Sequence, residues 1–191
     1  MNSVKCEVTK LVIPTYPEPK AEDLPMFAEN RVHQRTSGNP YPNKVVLKVN
    51  RDEKINKEYD VVLLENEYLK IEILPEIGGR IYSALDKTTG YDFFYKQHVI
   101  KPALIGVLGS WISGGVEFNW PFHHRASGFM PCDYTLETLP DGSAVCHLSE
   151  HDPIDRMKGM VSIILRPGEK RFETRMRLYN RTDTARSFLW W

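Results

Sequence analysis

Residues 66–95 read NEYLKIEILPEIGGRIYSALDKTTGYDFFY. From Tyr68 to Leu74, the apolar Leu69, Ile71 and Ile73 alternate with Lys70 and Glu72. Neighbouring side chains of an extended chain point to opposite faces, so this alternation predicts a half-buried β-strand. Pro75 to Gly79 forces a turn, and Arg80 to Leu85 resumes a strand. Asp86 to Gly90 (DKTTG) closes a hairpin, with glycine where a positive φ is needed. Tyr91 to Tyr95 (YDFFY) predicts one more strand.

The same grammar extends both ways. Upstream, VVLLEN (61–66) and KVVLKV (44–49) read as strands, with polar Arg51 to Lys57 as the loop between them. Val8, Leu11, Val12 and Ile13 form a short extended run. Pro14, Pro17, Pro19 and Pro25 then exclude a helix, and Ser37 to Asn43 is a turn cluster. Downstream, strands are predicted at Asp133 to Leu139, Ser143 to Glu150, Met160 to Leu165 and Arg171 to Leu178, punctuated by Pro140-Asp-Gly142 and Pro167-Gly168. On the last of these, Phe172, Thr174, Met176 and Leu178 face one way and Arg171, Glu173, Arg175 and Arg177 the other. No window carries a helical period long enough for a packed helix. The expectation is an all-β antiparallel sandwich over residues 44–191, preceded by an N-terminal strand and irregular arm over 1–43. The chain stops at RSFLWW, inside an apolar run that opens another strand. That ending leads us to expect the N-terminal piece of a longer protein with an incomplete sandwich.

Composition narrows the function classes. The 191 residues suffice for one domain with a core. Lys plus Arg and Asp plus Glu number 25 each, which argues against a nucleic-acid partner. No apolar run has transmembrane length, so no membrane partner is expected, and the N-terminus has no apolar signal core. Cys6, Cys132 and Cys146 are odd in number and widely spaced, which suggests neither a zinc site nor a disulfide framework. A reducing, cytoplasmic setting fits.

The chemistry concentrates in LGSWISGGVEFNWPFHHRASGFM (108–130). Aromatic walls with a few convergent polar groups suit a small polar ligand, above all a sugar; the plainer account is a loop plugging the end of a β-structure. His123 and His124 are the leading candidates for proton transfer, since imidazole titrates near neutrality. The rival account has one edging the core and the other solvated. Glu117 and Asn119 share a face if extended and would bind hydroxyls or supply an acid or base; a salt bridge from Glu117 to Arg125 or Arg80 is the rival account. Arg80, after the Gly78-Gly79 turn, offers a fork for hydroxyls or pins its hairpin. Glu150 and His151 offer a second carboxylate and imidazole, or a solvated turn. Trp111 and Trp120 would stack on a pyranose face, or one belongs to the core. A metal held by His123, His124, Glu117 and His151 would lack any recognised ligand spacing, so neither metal nor cofactor is expected.

Residues 66–95 resemble the opening hairpins of the galactose mutarotase-like superfamily, where a strand, a Pro-x-x-Gly-Gly turn and a second strand are typical. GSWISGGVEFNWPFHHR (109–125) and LSEHDPIDRMKGMVSIILRPG (148–168) are more specifically similar to the DUF5107 family, a bacterial group of mutarotase-like domains often followed by tetratricopeptide repeats. The resemblance implies a β-supersandwich with a carbohydrate site on the concave face of one sheet, and C-terminal repeats in the full-length protein. In aldose epimerases a histidine acts as general acid on the ring oxygen and a glutamate as base on the anomeric hydroxyl. That glutamate comes late in the fold, and no residue here is assigned to it. The functional expectation is a sugar-binding domain of an epimerase-like or glycoside hydrolase-like enzyme. The alternative is a non-catalytic carbohydrate-binding module or scaffold attached to helical repeats.

Overall fold

The computed structural model describes residues 3–18, 49–105, 109–121, 124–152 and 156–191. Two antiparallel sheets dominate. The first has the order β1-β2-β3-β4-β5: β1 Lys5–Thr15, β2 Ile55–Glu65, β3 Leu69–Leu74, β4 Arg80–Asp86 and β5 Tyr91–Asp92. The second has the order β11-β10-β9-β8: β8 Asp133–Thr138, β9 Ala144–Asp152, β10 Met157–Leu165 and β11 Phe172–Asn180. A short hairpin, β6 Ala103–Ile105 with β7 Gly109–Trp111, lies between them in the chain. The all-β sandwich expectation holds.

The alternation explains how the sheets meet. Leu69, Ile71 and Ile73 of β3 point into one core with Val62, Leu64, Ile81 and Ala84. Across from them, β9 contributes Ala144, Cys146 and Leu148, and β10 contributes Val161, Ile163 and Leu165. The unbroken apolar run of β2 has its own cause. A second cluster, with Ile13, Tyr59, Val61, Leu74, Ile77, Tyr82, Ile100 and Ile112, covers the other face of the first sheet. A strand buried on both faces needs no polar alternation.

The structure departs from the expected strands in several places. Most of the 44–49 strand and the arm around Pro25 lie outside the described residues. YDFFY is a strand only over Tyr91–Asp92. Asp92 folds back, accepting bonds from Ser83 Oγ (2.5 Å), Ala84 N (3.1 Å) and Phe94 N (3.2 Å), and this carboxylate turn ends the ladder. The 75–79 turn contains one turn of 3₁₀ helix, Pro75–Ile77, closed by Gly78 at φ +66°. The C-terminal RSFLWW forms no named strand, yet its backbone bonds to the central stretch, as described below.

Core placement sets the cysteine chemistry. Burial pushes the Cys146 thiol far up, and it pushes Cys132 up to about 11 from its ordinary 9.0. Cys6 is half-buried and moves less. At pH 8 iodoacetamide is expected to modify Cys6 first and Cys146 only on unfolding, as read by peptide mass spectrometry. The raised Cys132 value also carries a sign. Between pH 9 and 11 the folded state keeps a proton that the unfolded state releases, so stability falls as pH rises. Urea titrations should show stability falling across that window, with a shallower fall for Cys132→Ala.

Candidate functional site

Two glycines bring the central stretch onto the first sheet. Gly115 has φ +68°, and a Cβ there would sit 2.2 Å from the Ile81 carbonyl oxygen. Only glycine permits that approach. It lets Val116 and Ile81 exchange backbone bonds of 2.8 and 3.0 Å at the start of β4. At the neighbouring turn, a Cβ on Gly78 would meet the Gly128 carbonyl oxygen at 2.5 Å. The returning loop is tied there by Gly78 N to Met130 O (2.8 Å) and Cys132 N to Pro75 O (3.0 Å).

Arg80 is thereby enclosed, 2% exposed. Its Nη1 donates to the carbonyls of Ile112 (3.1 Å) and Gly114 (2.7 Å). Nη2 lies 3.7 Å from Glu117 Oε2. Desolvation pulls the guanidinium down to about 10, Glu117 opposes that fall, and Arg125 adds to it. Arg80 therefore stays charged at neutral pH and anchors both the backbone of the loop and its carboxylate.

Glu117 is the hub. Its Oε1 accepts Trp111 Nε1–H at 3.2 Å and lies 2.6 Å from His124 Nδ1. The imidazole contact is close but out of line for a hydrogen bond, so its strength rests on charge and proximity. His124 is held between two indoles, edge-on to Trp191 at 4.8 Å and to Trp111 at 6.2 Å. Asn119 is 1% exposed, and neither its amide nitrogen nor its amide oxygen has a hydrogen-bond partner among the described residues. Its backbone is paired: Asn119 N donates to Trp191 O (2.8 Å) and Trp191 N to Asn119 O (3.3 Å), with Leu189 N bonding Pro121 O alongside.

Arg125 and Glu150 form a second, adjacent pair. Arg125 Nη1 bonds Glu150 Oε2, and Nη2 donates to the Gly78 carbonyl at 3.1 Å. The guanidinium lies 5.8 Å from the centre of the Trp120 ring. Trp120 is 2% exposed and fills the end of the sandwich against Gly159 of β10. The cavity left beside them is about 10 Å³, room for one water and not for a sugar.

The structure thus brings Arg80, Trp111, Glu117 and His124 together, with Asn119 in the same stretch, and sets Arg125, Glu150 and Trp120 beside them as a packed plug. His151 is elsewhere: it lies opposite Lys158 on the solvent side of the second sheet. His123 lies outside the described residues. Trp191 is the member that sequence reasoning missed. Its apolar tail signalled a strand, but its partner, Asn119, is 72 positions away and has no local signature. Among the described residues no group of three or more His, Cys, Asp or Glu is placed to hold a metal, and no helix is long and apolar enough to cross a membrane.

This geometry defines an all-β sandwich domain with a carboxylate–imidazole pair at one edge of its first sheet. Residues 37–191 match the family model described as "Domain of unknown function (DUF5107)", and the chain belongs to that family. Among solved structures it is similar to a TPR-domain containing protein from Parabacteroides distasonis ATCC 8503. The two superpose with a TM-score of 0.78 at 23% sequence identity, over 94% of this chain and 30% of the other. At that identity the likeness speaks for the fold. The chain spans under a third of that protein's length.

Proposed function

We propose that this is a galactose mutarotase-like, carbohydrate-binding domain of a sugar-directed enzyme, either an aldose epimerase-like or a glycoside hydrolase-like one. The observation that carries the reading is the meeting of Glu117, His124 and Arg80 between Trp111 and Trp191. Glu117 holds Nδ1 of His124, leaving Nε2 to exchange a proton with a ring or glycosidic oxygen. Arg80 Nη2, 3.7 Å from Oε2, holds Glu117 in place. The indoles offer an apolar face to a pyranose. The unpartnered Asn119 amide supplies a donor and an acceptor suited to sugar hydroxyls. Leaving both buried and unsatisfied costs about 1–3 kcal/mol each, which a ligand would recover.

A second reading has its own support. The structural neighbour is a TPR-domain containing protein, which accords with a binding module whose attached helical repeats recruit partners. Ligand-observed NMR against a panel of mono- and oligosaccharides separates the two. Faster anomer exchange or new reducing ends are the expected result for the enzyme; binding with neither supports the module. No binding by the full-length protein would overturn both.

A further inference from the structure

The face of the second sheet turned away from the core holds a constellation separate from the Glu117 site, with Ser162 at its base 4% exposed. His147 of β9 uses both ring nitrogens: Nδ1 lies 2.8 Å from Ser162 Oγ on β10, and Nε2 lies 3.1 Å from Glu137 Oε2 on β8. The register explains the arrangement. Thr135 and Ser162 are the cross-strand neighbours of His147, and Glu137 is one step along on the same face. An ionised Glu137 only accepts, so Nε2 carries the proton and donates to it. In the neutral ring Nδ1 is then the lone-pair nitrogen, and the Ser162 hydroxyl donates to it. That is the order nucleophile, base, orienting carboxylate.

The three residues line an open groove of about 520 Å³. Val145 and Ile164 form its apolar wall, and Arg175 and Arg177 of β11 line its other side. Arg175 is the direct cross-strand partner of Ser162. Backbone N–H groups in mid-strand are occupied by the ladder, so oxyanion donors here must come from side chains. A guanidinium has five N–H donors, and Glu173 takes one from Arg175 at 2.8 Å.

We propose that Ser162, His147 and Glu137 form a nucleophilic relay that hydrolyses small carboxylic esters in this groove, with Arg175 facing the developing oxyanion. Ser162 Oγ bonds to the ester carbonyl carbon while its proton passes to His147 Nδ1. The carbon–alkoxy bond breaks, and Nδ1 returns the proton to the departing alcohol. Water then attacks the acyl-serine, gives its proton to Nδ1, and the acid leaves as the proton returns to Ser162. Ester and water become acid and alcohol. The activity goes beyond the sugar reading and does not rest on it.

The test uses the 191-residue chain with a fluorophosphonate probe and p-nitrophenyl acetate. The expected result is a single adduct mapped by mass spectrometry to Ser162, with p-nitrophenol released above the buffer rate. Ser162→Ala should abolish both, and His147→Gln should slow both by about 10²-fold or more. Ser162→Cys keeps a nucleophile and should transfer labelling to iodoacetamide at position 162. No adduct on the folded parent chain, an adduct on another residue, or parent-level hydrolysis in His147→Gln would overturn the proposal.

Discussion

His124→Ala is expected to lower turnover of the sugar identified by the screen by about 10²–10⁴-fold while leaving its affinity within about tenfold. The asymmetry follows from the geometry. On the proposed reading the imidazole moves the proton, whereas Trp111, Trp191 and Asn119 hold the sugar. Glu117→Gln should act through the same ring. It keeps the Trp111 Nε1–H contact as a neutral acceptor but removes the charge 2.6 Å from Nδ1. Turnover should then fall while affinity is kept, because the ring loses the charge that orients it. Steady-state kinetics of the two variants decide the matter. Full turnover in His124→Ala would mean that another group transfers the proton. Loss of affinity without any turnover to lose would favour the binding module.

Gly159→Val is expected to destabilise the sandwich by about 3 kcal/mol, the upper part of the overpacking range. Gly159 faces the core of β10, where the Trp120 indole occupies the place of a side chain. A Cβ there would meet Cε2 at 2.4 Å and Cζ2 at 2.6 Å. Those atoms belong to a rigid ring that is 2% exposed and lies beneath Arg125, so the indole has no free rotamer to retreat into. For a chain of this size the melting temperature should fall by roughly 6–12 °C. Trp120→Ala alone should cost about 3–5 kcal/mol through the cavity it leaves. The double variant should be more stable than the sum of the two, because the valine refills part of that cavity. Strict additivity in calorimetry would show that the two residues do not compete for the same space.

Much of the architecture was legible in residues 66–95. Alternation in Leu69, Ile71 and Ile73 named the core face of β3, and Gly78, Gly79 and Gly90 marked positions that do take positive φ. The structure extends the same two-residue period to β9, with Ala144, Cys146 and Leu148 on the core face and His147 on the other. YDFFY misled because aromatic composition favours a strand while the Asp92 carboxylate, a purely local competitor for backbone N–H groups, ends it. The site was legible as residue types, not as an arrangement. Trp111, Glu117 and His124 were candidates from one stretch, but nothing in the stretch separated them from Trp120, which packs as core, or from Arg125, which pairs with Glu150.

What the sequence alone determined is the all-β class, the turn positions, the core faces of the strands, and the stretch that carries the polar and aromatic side chains together. Those follow from local rules: a two-residue period, glycine's access to positive φ, and the cost of burying a charge. The tertiary structure decided the pairings between distant positions. It set Arg80 against Glu117, Trp191 against Asn119 and His124, Trp120 against Gly159, and His147 between Glu137 and Ser162. Each depends on which strand lies beside which and in what register, and that is settled by the packing of the whole sandwich, where one residue of slip would turn every one of these side chains to the opposite face.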